Sequence, residues 1–265
     1  MKREIESELI DELLADDPRA MRSRRDLRRV HRWMGHTRIM ARTLDAAFTD
    51  RIPRSIVELG AGDGTLLLRL AKRLAPRWNQ MRAVLVDRQR LLASQTKAEF
   101  EALSWHVESV ETDVFDWLER PNPEACDVTI ATLFLHHFRE GDLRRFLSLA
   151  ARQTGFFLAC DPERAYFSLC GASLLGLIGG NYVTRHDGKI SVRAGFVENE
   201  LSDLWPAGED WRLVERQAGL FTHCFAAQRI GDSARVASPA ASETRGRPSD
   251  VREGEKRIGP LPRRC

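Results

Sequence analysis

The chain has 265 residues, 43% of them hydrophobic, with 41 basic and 38 acidic side chains and a formal charge of +3. That length and apolar content suit one folded domain with appendages. Residues 231–265 hold eight basic and five acidic residues, so the whole excess lies there and the rest is about neutral, which argues against a dedicated nucleic-acid surface.

Five scattered cysteines (Cys126, Cys160, Cys170, Cys224, Cys265) form no C-x-x-C pair. Neither a zinc site nor a disulfide framework is expected, no metal is assigned, and buried thiols are the simple reading. The start, Met1-Lys2-Arg3-Glu4-Ile5-Glu6, is acidic and amphipathic, unlike a signal peptide. The longest apolar run, near Leu169–Ile178, is too short to span a bilayer. The expectation is a cytoplasmic protein without stable membrane insertion.

In chain order, Ile5, Leu9, Leu13 and Leu14 recur at helical spacing. Asp17-Pro18 reads as a stop and a new start, aspartate as N-cap and proline in the first turn. The helix it opens runs through Leu27, Val30 and Trp33 to Gly35. Its other face carries Arg22, Arg24, Arg25, Arg28, Arg29 and Arg32, either an anion-binding face or a solvated one. A third helix, with Ile39, Met40, Leu44 and Phe48, leads to Pro53. From Ser55 the pattern alternates. Strands are expected at Ser55–Leu59, Ala83–Val86, Val128–Leu133 and Phe156–Ala159, with a weaker one near Trp105–Val110. Helices are expected at Leu66–Leu74, Arg90–Ala102 and Asp142–Ala151, the last with Asp142 as N-cap. Alternation of this kind means βαβ units around a parallel sheet. Trp211–Arg216 and Leu220–Arg229, parted by Ala218-Gly219, close the pattern as a β-hairpin. The division is residues 1–52 as N-terminal helices, 53–230 as the sheet domain with an insertion at about 164–205, and 231–265 as a disordered tail poor in apolar residues.

Open parallel sheets bind ligands at the carboxyl ends of their strands, so the residues after each apolar run carry the functional reading. After the first come Glu58 and Gly60-Ala61-Gly62-Asp63-Gly64. Glycine has no Cβ to keep backbone away from a ligand. Glycines at alternate positions behind an acidic residue are the form found in S-adenosylmethionine pockets rather than the G-x-G-x-x-G turn of dinucleotide sites. Asp87 ends the second run, and one carboxylate can accept from two vicinal ribose hydroxyls. Asp113 either accepts from an exocyclic adenine amine or N-caps the helix Val114–Leu118, and the two are compatible. Leu133 to Phe138 follow the fourth run, and Cys160-Asp161-Pro162 the fifth.

Together Val57–Gly64, Val86-Asp87, Thr112-Asp113-Val114 and Leu135-His136-His137-Phe138 resemble the class I S-adenosylmethionine-dependent methyltransferases, over roughly Ser55 to Arg229. The small-molecule branch that includes ubiquinone/menaquinone C-methyltransferases is the most similar. Val183–Phe196 resembles bacterial methyltransferases found beside type III polyketide synthases. The resemblance implies an α/β, Rossmann-like fold: a seven-stranded sheet, mostly parallel with a C-terminal antiparallel hairpin, under an N-terminal helical cap. It implies S-adenosyl-L-methionine as cofactor and methyl transfer to oxygen or carbon of a small, aromatic/phenolic or polyketide-derived acceptor. It puts Gly60, Ala61 and Gly62 under the methionine and ribose, and Glu58 at the amino group. Asp87, with Arg88 beside it, falls at the ribose, Asp113 and Val114 at the adenine, and the backbone of Leu133 at the methionine carboxylate. Relatives often carry asparagine at Thr132, so a side-chain contact there is in question.

The catalytic candidates are His137 and His186. His136 and His137 follow the fourth strand, where cofactor and substrate meet. A neutral imidazole there can take a phenol proton, or simply line the pocket; His137 is preferred. His186 lies in Arg185-His186-Asp187-Gly188, which reads as a turn between two extended pieces. With Arg185 and Arg193 it either meets the acceptor or stays solvated. The apolar Leu174–Gly180 run lines the acceptor pocket or packs as core. Thr132-Leu133-Phe134-Leu135 lacks the Asn/Asp-Pro-Pro-Tyr/Phe signature of amide and base-nitrogen methylation, so the expected partner is a small molecule and not a nucleic acid. Oligomeric state is not legible. Two other classes also want a glycine turn: an NAD(P)-dependent oxidoreductase, disfavoured by the glycine spacing, Glu58 and the lack of a Tyr-x-x-x-Lys pair, and a non-catalytic cofactor-binding scaffold.

Overall fold

Seven strands form one sheet in the order β3-β2-β1-β4-β5-β7-β6. They are β1 (Ser55–Leu59), β2 (Arg82–Asp87), β3 (His106–Glu111), β4 (Cys126–Thr132), β5 (Thr154–Pro162), β6 (Trp211–Gln217) and β7 (Thr222–Arg229). The first five pair in parallel, and β7 lies antiparallel between β5 and β6. The computed structural model describes residues 1–13, 17–120, 125–173, 180–208 and 210–231. The expectations for Leu14, for most of the Leu174–Gly180 run, for Cys265 and for a disordered tail over 232–265 lie outside these residues, as do the side chains of Leu27 and Trp33.

Successive strand side chains point to opposite faces, and here both faces are covered. Ile56, Ala83, Leu85, Val128, Ile130, Phe156 and Leu158 enter one core with helices α3 (His36–Ala47) and α4 (Thr65–Leu74). Val57, Leu59, Val84, Val86, Ala131, Phe157 and Ala159 enter the other with α6 (Val114–Glu119), α7 (Glu140–Gln153) and α10 (Glu200–Leu204). Burial on both sides explains why these strands read as unbroken apolar runs. Phe48 meets the Trp78 and Phe156 rings edge-on, and the Trp105 indole N–H is satisfied by the Trp78 carbonyl at 2.9 Å. Among the described residues the remaining helices are α1 (Leu9–Glu12), α2 (Pro18–Met34), α5 (Ser94–Ala102), α8 (Tyr166–Ser173) and α9 (Tyr182–Ala194), with one 3-10 turn at Leu135–His137.

Three local expectations are corrected. The N-terminal helix shrinks to α1, because the backbone around it bonds elsewhere: the Leu9 and Ile10 N–H groups donate to Asp187 and that of Glu4 to the Arg193 carbonyl. Helix α7 begins at Glu140, so Asp142 is not its cap; it sits with Glu140 in the first turn, where acidic groups favour the helix dipole. Arg185–Gly188 is no turn between extended pieces but the middle of α9. The Asn181 side chain caps that helix by accepting from Thr184 N–H at 2.7 Å. Its buried face, Val183, Asp187, Ile190 and Ala194, has helical spacing, hidden in the sequence by the polar Asp187. Among the cysteines, Cys126, Cys160 and Cys224 are buried thiols, while Cys170 is exposed. Among the described residues no helix is long and apolar enough to cross a membrane.

His223 on β7 lies between Glu163 (2.9 Å) and Glu215 (2.7 Å), with its side chain 1% exposed. Burial opposes its charge, but the two carboxylates overcome that and raise its pKa from 6.5 to about 9. A raised histidine stabilises the fold fully below its unfolded pKa and loses that contribution as pH rises through the folded one. Between pH 6.5 and 9, wild type is therefore expected to lose about 2–3 kcal/mol more unfolding free energy than His223→Gln. Urea unfolding across that range checks it; parallel losses would show that His223 carries no charge.

Candidate active site

At the carboxyl edge of the sheet, β1 gives way to Gly60, Gly62 and Gly64, whose φ angles are +70°, +55° and +71°. The Gly60 and Ala61 N–H groups donate to the Val86 carbonyl at 2.9 and 3.1 Å, tying the turn to the end of β2. Asp87 accepts from Gly62 N–H at 2.8 Å on one oxygen and from Gln89 N–H at 2.9 Å on the other. Each oxygen keeps lone-pair capacity for a further donor. Arg88 is exposed beside it. Asp113 N-caps α6, accepting from Phe115 N–H at 2.8 Å, and Val114 behind it is buried.

Glu58 is 2% exposed, and its Oε2 has no hydrogen-bond partner. Burial, reinforced by the Asp63 and Asp87 carboxylates, pushes its pKa well above the usual carboxylate range. A buried acid in this state favours a cationic ligand group. A side chain built on Gly62 would meet nothing within 4 Å, so the cradle is open above that glycine. Residue Leu133, one step past β4, has φ of +50°, and its N–H donates to the Cys160 carbonyl at 2.9 Å. Thr132 is buried, its hydroxyl 3.4 Å from the Met40 sulfur.

The N-terminal helices form a roof. Arg28 of α2 ion-pairs with Asp63 of the glycine turn at 2.6 Å, and Arg24 donates to Gln89 at 2.9 Å. The arginine face of α2 is thus partly engaged with the cradle, while Arg22, Arg25, Arg29 and Arg32 are exposed. Buried Asp26 accepts from Asn181 N–H and the Thr184 hydroxyl, joining α2 to α9. Asp187 in turn holds the N-terminal segment through the Leu9 and Ile10 N–H groups that open α1, at 2.9 and 3.1 Å. These elements enclose a chamber whose apolar lining includes Val30, Met34, Leu133, Ala172, Val192 and Phe221, with Glu8, Asp187 and Ser191 among its polar groups.

At one side of this chamber His136 is buried between two carboxylates. Its Nδ1 lies 2.7 Å from Asp161 and its Nε2 3.2 Å from Glu8. Burial disfavours charge on this ring, but the two acids outweigh it and raise the pKa from 6.5 to about 9. His137 is half-buried, its ring 4.2 Å from that of His136. His186 lies on α9, 40% exposed and 3.2 Å from Asp187; none of the three histidines lines the chamber itself, and His136 reaches it through Glu8. Arg185 and Arg193 are exposed. The fold therefore brings Glu58, the glycine turn, Asp87, Leu133 and the His136-His137 pair to one edge of the sheet. Glu8 carries no signal in the sequence, because its only distinguishing feature is what the fold packs beside it. Asp161 did carry one, as the residue following the fifth strand.

Residues 56–154 match the family model described as a methyltransferase domain. No curated protein matches the chain. The fold is similar to that of the plantazolicin methyltransferase BpumL solved in complex with SAH, with TM-score 0.58 at 13% identity over 81% of this chain and 91% of that one. BpumL with a monoazolic desmethylPZN analog and SAH gives 0.56 at 14%, over 80% and 91%. A Nostoc punctiforme protein assigned to the O-methyltransferases gives 0.54 at 11%, over 85% and 64%.

A Cβ on Gly60 would fall 2.3 Å from the Phe134 ring, whereas one on Gly62 is unobstructed. Both substitutions carry the left-handed penalty of about 1–2 kcal/mol, and only Gly60→Ala adds overpacking of about 1–3 kcal/mol. Gly60→Ala should therefore be the less stable variant in urea unfolding. Equal stabilities would show that Phe134 does not press on this turn.

Proposed function

We propose that this chain, a class I S-adenosylmethionine-dependent methyltransferase by its matched domain and its sheet, methylates oxygen or carbon of a small, aromatic/phenolic or polyketide-derived acceptor held in the roofed chamber. The observation that carries the proposal is the chamber itself: a mainly apolar lining with a set of hydroxyl and carboxylate groups, sharing Leu133 with the cofactor edge. A polymer or a polyanion has no match in such a lining, whereas a small apolar ring does.

The cofactor supplies a methyl group already activated on a sulfonium sulfur. The chain's part is to bind, orient and exclude water. Glu58, with its unpartnered buried oxygen, suits the ammonium of the methionine portion. Asp87, already fixed by two backbone N–H groups, presents its remaining lone pairs to the ribose hydroxyls. The Asp113–Val114 corner suits the adenine, and the strained backbone at Leu133 the methionine carboxylate. The roof made by α2, α8, α9 and the N-terminal segment covers the acceptor. A hydroxyl acceptor would lose its proton at the side of the chamber where Glu8, His136 and His137 gather. His186 is left for contacts at the outer surface of α9.

Calorimetry with S-adenosylhomocysteine and with NADH tests the cofactor assignment, and mass spectrometry of phenolic and polyketide-type acceptors incubated with S-adenosylmethionine tests the reaction. NADH binding without S-adenosylhomocysteine binding would overturn the proposal. Asp87→Ala should weaken S-adenosylhomocysteine by about 1–3 kcal/mol, or roughly 5- to 150-fold; unchanged affinity would remove Asp87 from the ribose. His137→Ala should slow turnover at least tenfold on a hydroxyl acceptor while cofactor affinity holds. Full activity would make His137 a wall residue.

A further inference from the structure

We infer that Glu8, His136 and His137 form a binding site for a divalent first-row transition metal ion of the zinc type, beside the chamber that Glu8 lines. One ligand atom from each of the three lies within 4.8 Å of the others. The Glu8 oxygen and His136 Nε2 are 3.2 Å apart, close to the edge of about 3.3 Å that two ligands make around a tetrahedral ion with bonds of about 2.0–2.1 Å. Two imidazoles and one carboxylate are a donor set that suits zinc and its neighbours rather than magnesium or calcium.

The surroundings point the same way. His136 Nδ1 faces Asp161 at 2.7 Å, the carboxylate–histidine arrangement that fixes the tautomer of a metal-binding ring and leaves Nε2 for the ion. Asp161 is itself held by the Phe134 and His136 N–H groups at 3.1 and 3.2 Å, and its second oxygen is buried without a partner. Two buried carboxylates share this one imidazole, and a divalent cation at Nε2 would take the place of the proton between His136 and Glu8. The Ser191 hydroxyl donates to Glu8, and Glu8 and Ser191 both line the chamber. Glu8 is 128 residues away in the chain from the adjacent His136-His137 pair, so the site exists only when the N-terminal segment is docked on α9. The acceptor that fits it presents a hydroxyl or enol oxygen as the next ligand. That last step rests on the methyltransferase reading; the metal site does not.

The test uses the full chain stripped with chelator and titrated with cobalt(II) or zinc(II) by calorimetry and visible spectroscopy. One equivalent of cobalt(II) should bind and give the d–d bands of a low-symmetry site. Glu8→Gln and His137→Ala should each lose that binding, and Asp161→Asn should weaken it about 10- to 100-fold. His106→Ala, at an exposed position on β3, should bind like wild type. Circular dichroism melts identify a variant that fails to fold, and the half-buried His137 provides the second variant if Glu8→Gln is one of these. Absence of binding in wild type, or binding that survives in folded Glu8→Gln and His137→Ala, overturns the inference. S-adenosylhomocysteine titration of the metal-free protein separates the two readings. Cofactor binding without cobalt binding leaves the proposed function standing and removes the metal; cobalt binding without cofactor binding does the reverse.

Discussion

Five parallel strands end at one edge of the sheet, and β1 sits where the chain's winding reverses, with β2 on one side and β4 on the other. At such a switch point the loops leaving neighbouring strands diverge and leave a crevice. The candidate cofactor residues are arranged around that crevice. The glycine turn leaves β1, Asp87 ends β2, Asp113 follows β3, Leu133 and the two histidines follow β4, and Asp161 lies near the end of β5. Backbone amides, rather than side-chain packing, hold the arrangement: Gly60 and Ala61 donate to Val86, Gly62 and Gln89 to Asp87, Leu133 to Cys160, and Phe134 and His136 to Asp161. A functional carboxylate fixed by two N–H groups keeps its position when a ligand arrives, so little ordering is left to be done on binding.

The second half of the site comes from segments distant in the chain. Residues 1–13, helix α2 and helix α9 meet above the crevice through buried acids that accept backbone N–H groups: Asp26 from Asn181, and Asp187 from Leu9 and Ile10. Such bonds are the costly ones to break when buried, because the acid is left unsatisfied. They explain why α9 is a helix with an acid, Asp187, on its inner side, a combination that looks unfavourable until the N-terminal segment is placed against it.

This division marks what the amino-acid order discloses. Ser55–Leu59 is legible to the residue, because buried parallel strands are apolar throughout and the glycine turn punctuates the end. Asp113 is legible as a cap because aspartate before Val114–Leu118 has a local mechanism. Arg185–Gly188 misleads: Asp187 breaks the apolar period of α9 for a reason that lies 177 residues away, at Ile10. Glu8 is invisible for the same reason. An isolated glutamate in a polar segment has no pattern, and its partner His136 is 128 residues distant. Cysteine spacing, the usual sequence signal for a metal, has nothing to say about a site built from a glutamate and two histidines. Local chemistry is readable, and long-range pairing of polar groups is not.

The roof is not attached with equal strength on its two sides. Toward α9 and the N-terminal segment the attachments are buried acids, with Asp26 and Asp187 at 3% and 5% exposure. Toward the glycine turn α2 is held by the Arg28–Asp63 pair, whose side chains are 38% and 28% exposed, by the Arg24–Gln89 contact, and by Arg69 of α4 donating to the Arg28 carbonyl at 2.9 Å. Exposed ion pairs contribute about 0–1 kcal/mol and are screened by salt, whereas hydrogen bonds to a charged buried group contribute about 1.5–3 kcal/mol each. The weak seam therefore runs over the glycine turn and the strong one over the acceptor chamber. Under the proposed function, a nucleoside cofactor entering and leaving the crevice would meet the seam that opens at least cost, while the chamber walls stay assembled.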